Sequence, residues 1–163
     1  MNIETKTYVV GLLESYEKRE KQIELLHYEL AHPVRVTANE MIGALALAHG
    51  DDSGSGHPGG HASDKTLYIA LNYQDRADQA NNSASREVVE QLVTLEQEQE
   101  RLKYYVSLLA KRQANVIKLT YFEGCTQEDV AAKMGLAKRT IQLLKAQAID
   151  ELVTMYDYTI QLR

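Results

Sequence analysis

The stretch at residues 121–148, Y-F-E-G-C-T-Q-E-D-V-A-A-K-M-G-L-A-K-R-T-I-Q-L-L-K-A-Q-A, leaves this chain the fewest alternatives. Gly124 follows a periodic apolar run and, lacking a Cβ, can take the left-handed conformation that ends a helix. Thr126 supplies a side-chain oxygen for the free N–H groups of the next helix, while Gln127, Glu128 and Asp129 set acceptors or negative charge against its positive end. Val130, Ala131 and Met134 share one face of that helix, and Ala131 is small where a second helix has to come close. Gly135 permits a tight turn, Leu136 plugs the angle, and Ile141, Leu144 and Ala148 carry an inward stripe at helical spacing. These offsets predict two helices held at a steep angle, a helix-turn-helix.

The same burial pattern says what remains outside. With Ile141 and Leu144 inward, Lys138, Arg139, Gln142, Leu143 and Lys145 point outward or sideways from the second helix. Lys and Arg can reach guanine acceptors or phosphates and Gln can pair with an adenine edge, so the face suits the major groove of DNA. The alternative is a helical hairpin whose basic face is merely solvated.

Residues 108–155 resemble region 4 of bacterial sigma factors, in particular the stand-alone sigma-like regulators of phages and mobile elements in Gram-positive bacteria. The resemblance rests on Y-F-E-G before the turn, T-Q-E-D-V-A-A-K-M-G through the first helix, and the K-R-T-I-Q-L-L-K-A-Q-A-I-D-E-L tail. It implies that the second helix reads promoter-like DNA, with base-edge roles falling on Lys138, Arg139, Gln142 and Leu143. Double-stranded DNA is then the expected partner, with Lys133 and Lys118 as candidate phosphate contacts. By the same resemblance the protein activates late or packaging genes of a phage-type element in contact with RNA polymerase. Two residues depart from the family pattern. Ala137 stands where a Ser or Thr cap is usual, a loss of about 1 kcal/mol of helix stability, and Leu143 stands where a polar reader is common. Nothing resembles the part of a sigma factor that melts DNA, so a self-sufficient sigma factor is not expected.

Outside this segment the chain reads as all-α. It has only two prolines in 163 residues, and helix-forming Ala, Leu, Glu, Gln and Lys abound. A single cysteine, Cys125, excludes an internal disulfide framework. Neither a leader nor a long apolar span is evident, so the expectation is a cytoplasmic protein with no membrane partner. The net charge of −5 is unevenly spread. Residues 104–163 hold eight Lys and Arg against six Asp and Glu, while the first 103 residues hold ten against seventeen. DNA affinity follows the local charge, so the acidic total does not exclude it.

The acidic part carries two heptad seams. Val9, Tyr16, Ile23 and Leu30 repeat by seven with Leu12, Arg19 and Leu26 between them, up to the break at Ala31, His32 and Pro33. Val88, Leu95, Leu102 and Leu109 repeat likewise with Leu92, Gln99 and Val106 between, and this seam leads on into residues 111–122. Two matched seams predict long antiparallel coiled-coil-like helices, completed within the chain or by a second copy in a homodimer. Thr37 and Glu40 have capping-box spacing and open a short helix at residues 41–48. A Gly, Ser and His loop at 49–63 divides the region, followed by a helix capped by Ser63 or Asp64. Residues 80–85 form either a break or a polar patch. The expected division is therefore an acidic helical region, 1–103, and a helix-turn-helix domain, 104–163.

His49, Asp51, Asp52, His57 and His61 lie among glycines that would hold no ligand geometry fixed, so no metal site is read there. No catalytic residue and no cofactor are expected either, since Cys125 has no patterned histidine or base beside it. Two functions remain open: a sequence-specific DNA-binding transcription regulator, and a coiled-coil adaptor that uses the sigma-like fold to bind polymerase or another regulator.

Overall fold

A computed structural model describes residues 3–41 and 62–160, and all regular structure among them is helical, as composition and periodicity predict. The elements are α1 (Ile3–Glu14), α2 (Tyr16–Ala31), α3 (Ala62–Leu108), α4 (Lys111–Ile117), a π-helical turn (Lys118–Phe122), α5 (Gln127–Met134) and α6 (Lys138–Ile160). The His-containing loop lies outside the described residues, as does the short helix expected at 41–48 apart from its start. Contacts divide the chain into two compact units, Met1–Leu25 with Leu92–Arg163, and Leu26–Gln91. The boundary expected at 103/104 falls inside α3 and inside the first of these units.

In the first unit the seam from Val9 to Tyr16 meets both the second seam and the end of α6. Val9, Leu12, Leu13, Tyr16, Leu102, Val106, Leu109, Ala148, Ile149, Leu152, Val153 and Tyr156 form one buried cluster with Ala114 and Ile117. Edge-on contacts join Tyr156 to Tyr8 at 5.9 Å and to Tyr105 at 4.9 Å between centroids. The buried Tyr156 hydroxyl has no hydrogen-bond partner among the described residues, and burial raises its pKa. Outside the cluster, Lys6 and Asp150 pair at 3.0 Å. This pair is half exposed and adds little stability.

Between α1 and α2 the helix that carries the first seam is broken at Ser15. Its N–H and its hydroxyl both donate to the Gly11 carbonyl, at 3.0 and 2.7 Å, and the Arg19 N–H bonds the Ser15 carbonyl at 2.9 Å. The helical ladder therefore passes through the irregularity. Beside it, the two polar residues of the seams meet. Arg19 is 5% and Gln99 3% exposed, and Arg19 Nε donates to Gln99 Oε1 at 2.8 Å. The guanidinium also donates to the Leu12 carbonyl at 2.6 Å and the Ser15 hydroxyl at 3.2 Å. One buried cation is thus held by three neutral acceptors in the middle of an apolar seam, an arrangement that fixes register.

The second seam stops earlier than its spacing predicts. α3 ends at Leu108, and Leu109, though buried, lies in the turn to α4. The Ala110 N–H there finds the side chain of Gln113 at 3.2 Å, which satisfies one of the free donors of a new helix start.

In the unit Leu26–Gln91, Thr37 and Glu40 form the expected capping box. The Glu40 carboxylate accepts from the Thr37 N–H at 2.8 Å, and the Thr37 hydroxyl accepts from the Glu40 N–H at 3.3 Å. The stretch at 80–85 proves to be a polar patch within a continuous helix. Asn81 is part of the reason: its amide accepts from the Val36 N–H at 2.9 Å and donates to the Val36 carbonyl at 3.1 Å. A residue with weak helix propensity thereby satisfies both backbone groups of Val36.

Candidate nucleic-acid interface

The base of the interface is α4 and the π-helical turn. Gln113, buried, reaches from the start of α4 to Glu151 of α6 at 2.9 Å and ties the two helices together. In the π turn the Glu123 N–H bonds the Lys118 carbonyl at 3.0 Å, five residues back. Phe122 thereby stacks on Tyr16, with centroids 3.8 Å apart, while Tyr121 lies beneath the ammonium of Lys145 at 4.6 Å. Gly124 follows in the left-handed region, φ +65°.

α5 begins with the cap its sequence predicts. The Thr126 hydroxyl accepts from the Asp129 N–H at 3.2 Å and donates to the Asp129 carboxylate at 2.7 Å, and the Thr126 N–H reaches the same carboxylate at 3.3 Å. These bonds from Thr126, side chain first and backbone second, hold the Asp129 carboxyl below its ordinary pKa. A carboxylate lowered in the folded chain stabilises it above the unfolded pKa, so this cap weakens as pH falls through the folded value.

The helix ends at Gly135, φ +63°, with the N–H groups of Gly135 and Leu136 returning to the carbonyls of Ala132 at 3.3 Å and Ala131 at 3.0 Å. Nothing lies within 4 Å of where a Cβ on Gly135 would sit, so only backbone conformation opposes a side chain. Gly135→Ala is expected to cost about 1–2 kcal/mol, with Gly135→Asn costing less. Urea unfolding of the two variants measures the difference, and equal stability of Ala and wild type would refute it.

α6 starts without a side-chain cap, since Ala137 offers only its carbonyl to Thr140 at 2.9 Å and Ile141 at 3.2 Å. Val116, Val130 and Ile141 are fully buried between the helices, with Leu119, Cys125, Ala131, Met134, Leu136 and Leu144 packed around them. The inward stripe is as the spacing predicts, except that Ala148 belongs to the larger core.

This packing leaves Lys138, Arg139, Gln142 and Leu143 exposed on the first two turns of α6. Lys138, Gln142 and Lys145 form one ridge, and Arg139 and Leu143 the next. Lys145 is half-buried and turned over Tyr121, whereas Lys118 is exposed on the π turn. Lys133, at the end of α5, donates to Glu123 at 3.3 Å and to the Cys125 sulfur at 3.2 Å.

Two contacts on this face were not legible in the sequence. Lys138 is hydrogen-bonded to Glu128, and that partner holds the Glu128 carboxyl below its ordinary pKa. Gln142 Nε2 donates to Gln127 Oε1 at 3.1 Å. Both cross from α5 to α6 over separations of ten and fifteen residues, beyond any local spacing rule. Among the described residues Arg139 has neither an ion pair nor a hydrogen bond, and no group of His, Cys, Asp or Glu is arranged to hold a metal ion. No helix among them is long and apolar enough to cross a membrane.

Residues 106–152 match the family model for Sigma-70, region 4. The match covers under a third of the chain. No curated protein and no solved structure matches the chain. The segment is a sigma region 4-like helix-turn-helix, a DNA-binding fold, and it supports a role in DNA-binding transcription regulation.

Proposed function

We propose that the protein uses its sigma region 4-like segment as a sequence-specific reader: α6 enters the major groove of promoter-like DNA, and the bound protein acts on transcription with RNA polymerase. By its resemblance to the sigma-like regulators of phages, the protein would activate late or packaging genes of a phage-type element. The observation that carries the proposal is Arg139, an exposed and unpaired guanidinium on the first turn of α6, one position from Lys138 and three from Gln142. Such a group can grip guanine O6 and N7 together.

Charge supports reading over indiscriminate attraction. The unit Met1–Leu25 with Leu92–Arg163 holds fourteen Lys and Arg and fourteen Asp and Glu, so selectivity falls to the groove face. Arg139→Ala is expected to weaken site-specific binding by about 1–3 kcal/mol. Salt titration of the full chain on a selected duplex, wild type beside variant, measures this, and unchanged affinity would remove Arg139 from the reading set.

Leu143 favours a second reading. It is 59% exposed in the middle of the face, where a protein-binding module would place an apolar anchor. In that adaptor, Leu143→Ala abolishes capture of a protein partner and Arg139→Ala leaves it intact. In the DNA reader the order of effects is reversed.

A further inference from the structure

We infer that Gln127 and Glu128, at the start of α5, are positioning residues that set which bases α6 selects. This inference rests on the DNA-reading function proposed above. Each residue bridges from the first helix of the motif to a side chain of the reading face, Gln127 to Gln142 at 3.1 Å and Glu128 to Lys138. Glu128, Lys138 and Gln142 are exposed and Gln127 is half-buried, and each contact is a directed hydrogen bond between polar ends.

The chemistry of the Gln pair gives the inference its content. The Gln142 amide nitrogen carries two hydrogens and Gln127 Oε1 accepts one of them. The remaining N–H and the Gln142 carbonyl oxygen stay free side by side, and the bond to Gln127 favours this orientation of the amide. That donor and acceptor pair is the one that meets adenine N7 and N6 in the major groove. A free glutamine has to give up rotamer freedom on binding and can equally turn its amide over. Gln142 is biased beforehand by its bond to Gln127, which lowers the ordering cost for the base pair that matches this orientation and so raises discrimination.

Glu128 acts on Lys138 in the same sense. It takes one of three ammonium hydrogens and leaves two for a purine edge. Its charge also repels phosphate, so it lowers attraction to every sequence while leaving a directed contact in place. Arg139 has no such strut and is free to adjust to the backbone or a base.

The test uses the full chain and a duplex pool with a randomised segment. Wild type is expected to enrich a site containing an A·T pair whose preference disappears in Gln142→Ala. Gln127→Met, which keeps the length of the side chain and removes the acceptor, is expected to lose preference at that same pair by about tenfold, with unchanged salt slope and thermal midpoint. Gln127→Ala, a second variant without the acceptor, should do the same. Gln127→Glu retains the acceptor and should retain the preference while binding all sequences more weakly. An unaltered base profile in Gln127→Met and Gln127→Ala overturns the inference and leaves the DNA-reading function standing. Failure of wild type to enrich any sequence overturns both.

Discussion

Replacing Leu13 by alanine is expected to destabilise the unit that carries α6 by about 2–5 kcal/mol, although the two lie far apart in sequence. Leu13 is fully buried in the cluster that holds Leu152, Val153 and Tyr156 of α6 against α1. Removing its side chain deletes apolar contact and leaves a cavity among its buried neighbours. Thermal unfolding followed by tyrosine circular dichroism measures the loss, and selective DNA binding should fall at temperatures where the wild type still binds. Leu25→Ala is the control. Leu25 is 65% exposed, and its loss should lie within about 0.5 kcal/mol. Equal effects of the two substitutions would show that α1 does not brace α6.

The second large effect is expected at the polar layer. Gln99→Leu leaves Arg19 buried with its Nε donor unmatched and should cost about 2–4 kcal/mol. The double variant Arg19→Leu, Gln99→Leu removes the charge together with its acceptor, and much of the stability should return. Helix register then loses its fixed point, so the double variant should associate or sample alternative pairings that the wild type does not. Urea unfolding of the full double-mutant cycle, with sedimentation of each species, decides the matter. A double variant as weak as Gln99→Leu and as uniform as wild type would contradict the role assigned to this layer.

Local chemistry explains what the sequence made legible. Thr126 with Asp129 and Gly135 with Leu136 are recognised within a few residues of one another, and the inward stripe at Val130, Ile141 and Leu144 defines the exposed face by subtraction. The seams were visible too, including the two polar residues that interrupt them. Their pairing was not, because Arg19 and Gln99 are eighty residues apart and a heptad pattern does not name its partner. The stripe of α1 likewise announced burial without announcing α6 as what covers it. At Leu108 the periodicity ran past the end of α3, since Leu109 stays buried whether or not the helix continues. Gln127 and Glu128 looked like ordinary residues of a helix start, and only the folded geometry shows their ends meeting Gln142 and Lys138.

The contact between α1 and α6 also orders events in time. The salt bridge from Lys6 spans 144 residues to Asp150, so Val9, Leu12 and Leu13 are translated long before the α6 half of their cluster exists. At common elongation rates of about 5–20 residues per second the gap is roughly 7–30 seconds. Through that interval the cluster around α1 is incomplete, and the unit attains its final stability only once residues 148–156 have emerged. The first helix of this unit therefore waits on one of the last for its cover, and the helix-turn-helix between them is braced late in synthesis.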